Sequence, residues 1–319
     1  MLEIACDESG YEGEKLIGTS TDVFAHASVR LDAGSAADCL RELRARIRSP
    51  ALEYKANHLL RVKHRAVLRW LLGGPPAGVT QAEPAPLAGN ASVYLVDKAY
   101  LVLARLVELL VPDQPVGLLY RAARAGLDRE PWQAFLTAAN RLLRTNHRTA
   151  AEVTAPVDGF AGTVDGLRRA GVPGPVDELL GRLQRARPHA VGFRERVRDD
   201  PRAVPTLDPL VPAIVRAVIG WGGDGGEPVG IVHDRQKTLS PDRIAHLADL
   251  LGPRLAGLRF VVARSDPRVQ VADILAGVAR KLATDELHGR GDPQLTDLLR
   301  PFLDPFSIWG DDRSWSRLG

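Results

Sequence analysis

Cysteine is nearly absent: Cys6 and Cys39 are the only two among 319 residues. Two are too few for a structural zinc site on their own and do not make the disulfide framework of a secreted domain, so a reducing compartment is expected. No run approaches the ~18 apolar residues that a membrane-spanning helix needs. The opening MLEIACDESG has no basic leader followed by an apolar core, and the expectation is a soluble, untargeted, cytoplasmic protein with no membrane partner. An excess of one charge is missing too. With 42 basic against 39 acidic residues the net is +3, so no global field points to nucleic acid and any basic patch must be local. There is no G-x-S-x-G elbow, H-E-x-x-H, Walker A loop or C-x-x-C, which removes the chemistries those signatures carry. Gly220, Gly222 and Gly225 satisfy G-x-G-x-x-G, but they follow a helical stretch and precede a strand. A dinucleotide fingerprint does the reverse, so they read as a linker.

What is present suffices for a full core: 45% of residues are hydrophobic and 25% charged, at a length that buries most of its apolar surface. Residues 2–7 alternate Leu2, Ile4 and Cys6 against Glu3, Ala5 and Asp7, and Ser9-Gly10 ends that strand in a turn. The pattern then predicts a strand over 22–31, a helix opened by Ser35, a helix from Leu59 to Leu72, a loop from Gly73 to Asn90, and a strand 91–96 ending at Asp97. From Lys98 to about Gly220 helical periods take over, in AYLVLARLVELL, WQAFLTAANRLLR, VDELLGRLQRA and LDPLVPAIVRAVI. Alternation resumes with a strand at 228–233, a helix opened by Ser240 and Pro241, a strand at 257–263 and a helix over 267–287. The expected fold class is α/β, with a core in two parts, 1–98 and 227–319, interrupted by a helical insertion at 99–226.

Four acids stand where local structure explains them poorly. Asp7 ends the first strand, Glu53 sits in EYK, Asp234 ends GIVHD, and Asp273 lies within VQVADILAGVA. On that last helix Gln270, Asp273 and Gly277 fall at i, i+3 and i+7, a narrow polar stripe ending in a residue that lets another backbone approach. Each acid also has a plainer reading: a turn at Asp7, a surface pair of Glu53 with Lys55, and a pairing of Asp234 with Arg235 or Lys237. Asp273 is the hardest to dismiss, because it lies beyond the first turn where a helix dipole favours acids, and a buried acid needs a partner. Asp97, next to Lys98 at a helix start, reads as an N-cap and stays outside the cluster. His233, beside Asp234, is an acid–base helper or simply a strand residue.

Carboxylates converging from several elements suit hard cations, which take oxygen ligands, and two such cations can cut a phosphodiester. Asp7, Glu53, Asp234 and Asp273 are therefore the candidate ligands for Mg²⁺ or Mn²⁺ and, with Lys55, the candidate catalytic residues. Lys55 contacts a phosphate or neutralises part of the cluster. Ser9, Lys237 and Gln270 are the candidates for binding substrate. The Arg-bearing segments RAARAGLDR, LRRAGV and FRERVRDDPR suggest a helical subdomain beside the cleft, with Arg194, Arg196 and Arg198 gripping phosphates, or a packing or homodimerisation module with solvated arginines.

Taken in order, DESG at 7–10, E-x-K at Glu53 and Lys55, Asp97-Lys98, Asp234, and S-D-x-x-x-Q-x-A-D-I-x-A-G from Ser265 to Gly277 resemble the bacterial family catalogued as domain of unknown function 3800. That family is placed among ribonuclease H-like folds. The resemblance covers roughly residues 1–98 and 227–288. It implies a mixed five-stranded sheet flanked by helices, with acids from the first strand, a middle strand and a C-terminal helix meeting at one metal site. The expected activity is metal-dependent hydrolysis of RNA or DNA. The alternatives are a non-catalytic module binding nucleic acid or protein on the same scaffold, and a hydrolase of a small phosphate compound.

Overall fold

Alternation at the N-terminus does form a strand. In the computed structural model, which describes residues 1–48, 54–73, 85–145, 151–200 and 207–319, β1 is Leu2–Ser9 and β2 Val23–Val29. Helices α1 (Ala33–Ile47), α2 (Ala56–Leu59) and α3 (Arg65–Leu72) lead to β3 (Ala91–Asp97). Seven helices follow: α4 (Lys98–Leu110), α5 (Val116–Gly126), α6 (Arg129–Leu143), α7 (Ala151–Arg169), α8 (Gly174–Arg185), α9 (Arg187–Asp199) and α10 (Leu210–Gly222). The chain then returns to β4 (Val229–Asp234), α11 (Pro241–Leu251), β5 (Leu255–Val261), α12 (Pro267–Leu287), α13 (Pro293–Leu299) and α14 (Asp312–Leu318). Most of the 73–90 loop lies outside the described residues.

The five strands form one mixed sheet in the order β3-β2-β1-β4-β5. Strand β2 runs antiparallel to both neighbours, whereas β1 with β4 and β4 with β5 are parallel. The C-terminal ends of β1, β3 and β4 therefore share one edge of the sheet. Side chains alternate across it. Ala5, Ala25, Ala27 and Val232 face a core built with α1, α3 and α12, while Ile4, Cys6, Phe24, Val96 and Ile231 face a core shared with the helices between β3 and β4. Those helices thus close one side of the sheet, each fully buried Leu or Phe contributing ~1.5–3 kcal/mol.

α12 spans the expected residues, because Asp266 caps it by accepting from Arg268 N and Pro267 occupies the first turn, where its missing N–H costs nothing. α1 starts earlier than Ser35: Asp32 is the cap, its Oδ1 accepting from Ser35 N at 2.9 Å while Ser35 Oγ donates to Oδ2 at 2.5 Å. The expected 59–72 helix is broken into α2, a 3₁₀ turn at Val62–His64, and α3. The C-terminal tail pairs with β3 through Ile308 N to Leu95 O (2.9 Å) and Asp304 N to Val93 O (2.8 Å), covering an otherwise open strand edge. Among the described residues no helix is long and apolar enough to cross a membrane.

One expected phosphate contact belongs to the core instead. Arg194 is 1% exposed, and its Nη1 donates to the carbonyls of Leu142 (3.2 Å) and Arg144 (2.6 Å) at the end of α6. Arg198 pairs with its neighbour Asp199 at 2.8 Å. Sequence spacing cannot reveal that an arginine satisfies buried carbonyls. Arg194→Ala is expected to destabilise the protein by about 3 kcal/mol, from lost packing and two orphaned acceptors. Denaturant unfolding checks it, and a variant as stable as wild type would return Arg194 to the surface.

Candidate functional site

The register of the sheet brings the first two acids together. Cys6 pairs with His233 across β1 and β4, so Asp7 and Asp234, one residue further on, stand side by side. They follow Ala5 and Val232 by two residues and share their face of the sheet, the face covered by α12. Asp273 comes from α12, six residues after Pro267. Lys55, just before α2, donates from Nζ to Asp273 Oδ2 at 2.8 Å.

Gly277, one turn after Asp273, lets α2 close in. A Cβ there would lie 2.6 Å from the Cβ of Ala56 and 3.9 Å from Ser9 Oγ. This is the close approach its place on the polar stripe predicts. Gly277→Ala is expected to push α2 away, cost about 1–3 kcal/mol and displace Lys55. A variant matching wild type in melting temperature would show that α2 docks differently.

The electrostatics of the cluster follow from burial first and from neighbouring acids second. Asp7 is 6% exposed and its Oδ1 accepts from Glu8 N at 2.8 Å. Burial, and then the charges of Glu8, Asp273 and Asp234, push its carboxyl up to about 9. Like charges do this only at short range. Asp234 is anchored by Ala263 N, which donates to its Oδ1 at 2.9 Å and ties the end of β4 to the turn after β5.

Glu8 is the site residue that sequence reasoning missed. Its carboxyl is pushed up to about 7, first by burial and then by Asp234 and Asp273, against the stabilising donation of Gln236 Nε2 to its Oε1 at 2.5 Å. Period-two alternation assigns Glu8 to the face opposite Asp7, beside its cross-strand partner His26. From there its carboxyl feels the acids through their charge. Its Oε2 lies 3.6 Å from His233 Nε2. His233 is fully buried, with Nδ1 2.9 Å from the Asp234 carbonyl oxygen, and its ring stacks on His26 at 5.4 Å. Burial lowers both imidazoles. His233 therefore backs the cluster as a neutral group that no substrate reaches.

The other candidates have partners of their own or lie apart from the acids. Ser9 Oγ, beside Gly277, accepts from Arg280 Nε at 2.9 Å. Gln270 turns its amide to the Arg264 carbonyl at 3.4 Å, a local contact one turn before Asp273. Lys237 is exposed on the turn after β4 and, among the described residues, has no hydrogen bond or ion pair to the acids. Glu53 lies outside the described residues. Asp97 caps α4 through Tyr100 N at 3.1 Å and accepts from the Tyr120 hydroxyl.

Among the described residues no three of these side chains form a ready-made metal cage. The donor chemistry nevertheless fits a hard cation. Every ligand candidate offers oxygen, and burial, with the neighbouring acids adding to it, raises the carboxyls of Asp7 and Glu8 toward and above neutrality. The chain matches no family model, no curated protein and no solved structure.

Proposed function

We propose that this chain is a metal-dependent nuclease on a ribonuclease H-like core, hydrolysing phosphodiesters of RNA or DNA with Mg²⁺ or Mn²⁺. The reading rests on one observation: Asp7, Asp234 and Asp273 come from two strands and a helix to one edge of the sheet, where their charges meet. Asp7, Asp234 and Asp273 hold the metal, Glu8 adds a fourth carboxylate, and Glu53 remains a candidate from the sequence. Hard cations held there would supply an activated water and a stabilised leaving oxygen. The chain's own contribution is orientation. Lys55 offsets one acid's charge, and Arg280, held by Ser9, presents a cation to a non-bridging phosphate oxygen.

The test is calorimetric titration with Mn²⁺ and Mg²⁺, together with cleavage of labelled RNA, DNA and hybrid substrates with and without chelator. Divalent binding with chelator-sensitive cleavage is expected. Strand binding with no divalent binding would place the protein among non-catalytic binders. Hydrolysis of nucleotides alone would make it a small-phosphate hydrolase.

A further inference from the structure

A cavity at the edge of the sheet lies apart from the acidic cluster. It has a volume of about 760 Å³ and lies between the C-terminal end of β3, helices α5 and α6, the end of α12 and the start of α14. Its floor holds the buried Lys98, whose Nζ donates to the hydroxyls of Thr21 (2.8 Å) and Thr19 (3.1 Å). Its rim carries Arg121, Arg129 and Arg313, all exposed and without a hydrogen-bond or ion-pair partner among the described residues. Trp132 joins the wall, half-buried, with one ring face stacked on Phe135 at 5.7 Å.

The wall also carries acids, but most are engaged. Asp22 pairs with His288 at 3.0 Å, Asp97 caps α4 and accepts from Tyr120, and Asp311 caps α14 and lies 3.5 Å from Arg124. Asp312, exposed in the first turn of α14, is left to oppose three free guanidinium groups. Such a surplus of unpaired arginine around an aromatic wall favours an anion carrying a planar ring.

The cavity is joined to the acidic cluster by a line of cations. Arg280 donates to Ser9, and a Cβ on Gly10 would meet both the Arg280 Cδ at 2.8 Å and the Thr21 hydroxyl at 2.9 Å. Arg280 and Thr21 therefore meet across Gly10, and Thr21 in turn holds Lys98. From Asp273 to Leu287, which lines the cavity, α12 advances about 21 Å at 1.5 Å per residue, a span of several nucleotides.

We propose that this cavity binds a nucleotide unit of a single-stranded nucleic acid, several residues along the strand from the phosphodiester at the acidic cluster. Arg121, Arg129 and Arg313 contact backbone phosphate, and Trp132 stacks on a base. The proposal names the substrate track of the nuclease read above and rests on that reading only for the far end of the strand.

Fluorescence anisotropy of labelled 12-nucleotide RNA and DNA, in chelator so that nothing is cut, tests the cavity separately from cleavage. The triple variant Arg121→Ala, Arg129→Ala, Arg313→Ala is expected to weaken binding at least tenfold and to lower the salt slope by about 2, at ~0.7 per lost single-strand contact. Its melting temperature should match wild type, because the three side chains are exposed and unpaired. Trp132→Ala is expected to weaken binding about tenfold with the slope unchanged. Preference for RNA over DNA, or none, is read from the two arms. Unchanged affinity and slope in the triple variant would overturn the proposal, as would equal weakening by Arg182→Ala with Arg198→Ala on the remote helices. Displacement of the 12-mer by an equal concentration of a mononucleotide would overturn the strand assignment. A wild-type protein that cuts nothing with any divalent ion, yet loses strand binding in the triple variant, would retain the cavity and remove the nuclease.

Discussion

Asp273→Asn is expected to lower Mn²⁺-dependent cleavage by more than about 100-fold, since even the outer partners of metal ligands are worth 10–100-fold. The same variant should melt in chelator close to wild type. Its partner Lys55 has a side chain 54% exposed, so the pair contributes at most about 1 kcal/mol, and removing a charge relieves the crowding that raises Asp7. Saturating metal separates ligand from ion-pair residue. Wild type should gain about 2.7 kcal/mol at one hundred times the dissociation constant, and the variant much less. Thermal melts of both proteins with chelator and with Mn²⁺, run beside cleavage assays, decide it. A variant that melts early yet keeps its metal-induced shift would make Asp273 a structural ion pair and remove it from the ligand set.

The metal-free protein is expected to lose stability as pH rises from 6.5 to 8. Asp7 is held up to about 9 in the fold by burial and by the neighbouring acids, against about 3.9 when unfolded. Across this window the native state therefore binds more protons than the unfolded chain, and stability falls by about 1.4 kcal/mol per pH unit from Asp7. Glu8, held up to about 7, adds to the fall at the lower end. Groups acting in the opposite sense contribute little within the window. The lowered imidazoles of His26 and His233 act only up to about pH 6.5, and Lys98, lowered to about 8 by burial, acts above that. A total of about 2 kcal/mol corresponds to roughly 3 °C in melting temperature for a chain of 319 residues. Asp7→Asn should flatten the profile and raise the melting temperature at pH 8, and Mn²⁺ should do the same for wild type. A flat or rising wild-type profile in chelator would mean that Asp7 is ionised without cost and that the acids are further apart than the structure places them.

These expectations depend on contacts that differ in how far they could be read from the chain. Residues 2–7, the helix 267–287 and the cap at Asp97 were legible because their signals are local: period-two alternation, an Asp-Pro helix start, and an acid three residues before an orphan N–H. Asp273 and Gly277 were legible as one stripe for the same reason, since helical spacing alone puts them on a common face. Arg194 looked like a phosphate contact because a charge motif carries no record of burial; only the packing of α9 against the end of α6 turns its guanidinium to two carbonyls.

The sequence by itself determined which residues are acidic, which face of its own element each occupies, and where most elements begin and end, all consequences of backbone periodicity and capping within a few residues. Tertiary structure alone decided that Asp7 lies beside Asp234, because that depends on pairing β1 with a strand more than two hundred residues away. It also decided that α12 packs against β1 with Gly277 close to Ser9, that Glu8 stands near enough to feel the charges of Asp234 and Asp273, and that the arginines of RAARAGLDR open onto a cavity at the same edge of the sheet. Register between distant strands and the docking of a helix are set by the summed burial of a whole core, and no short window of sequence contains that sum.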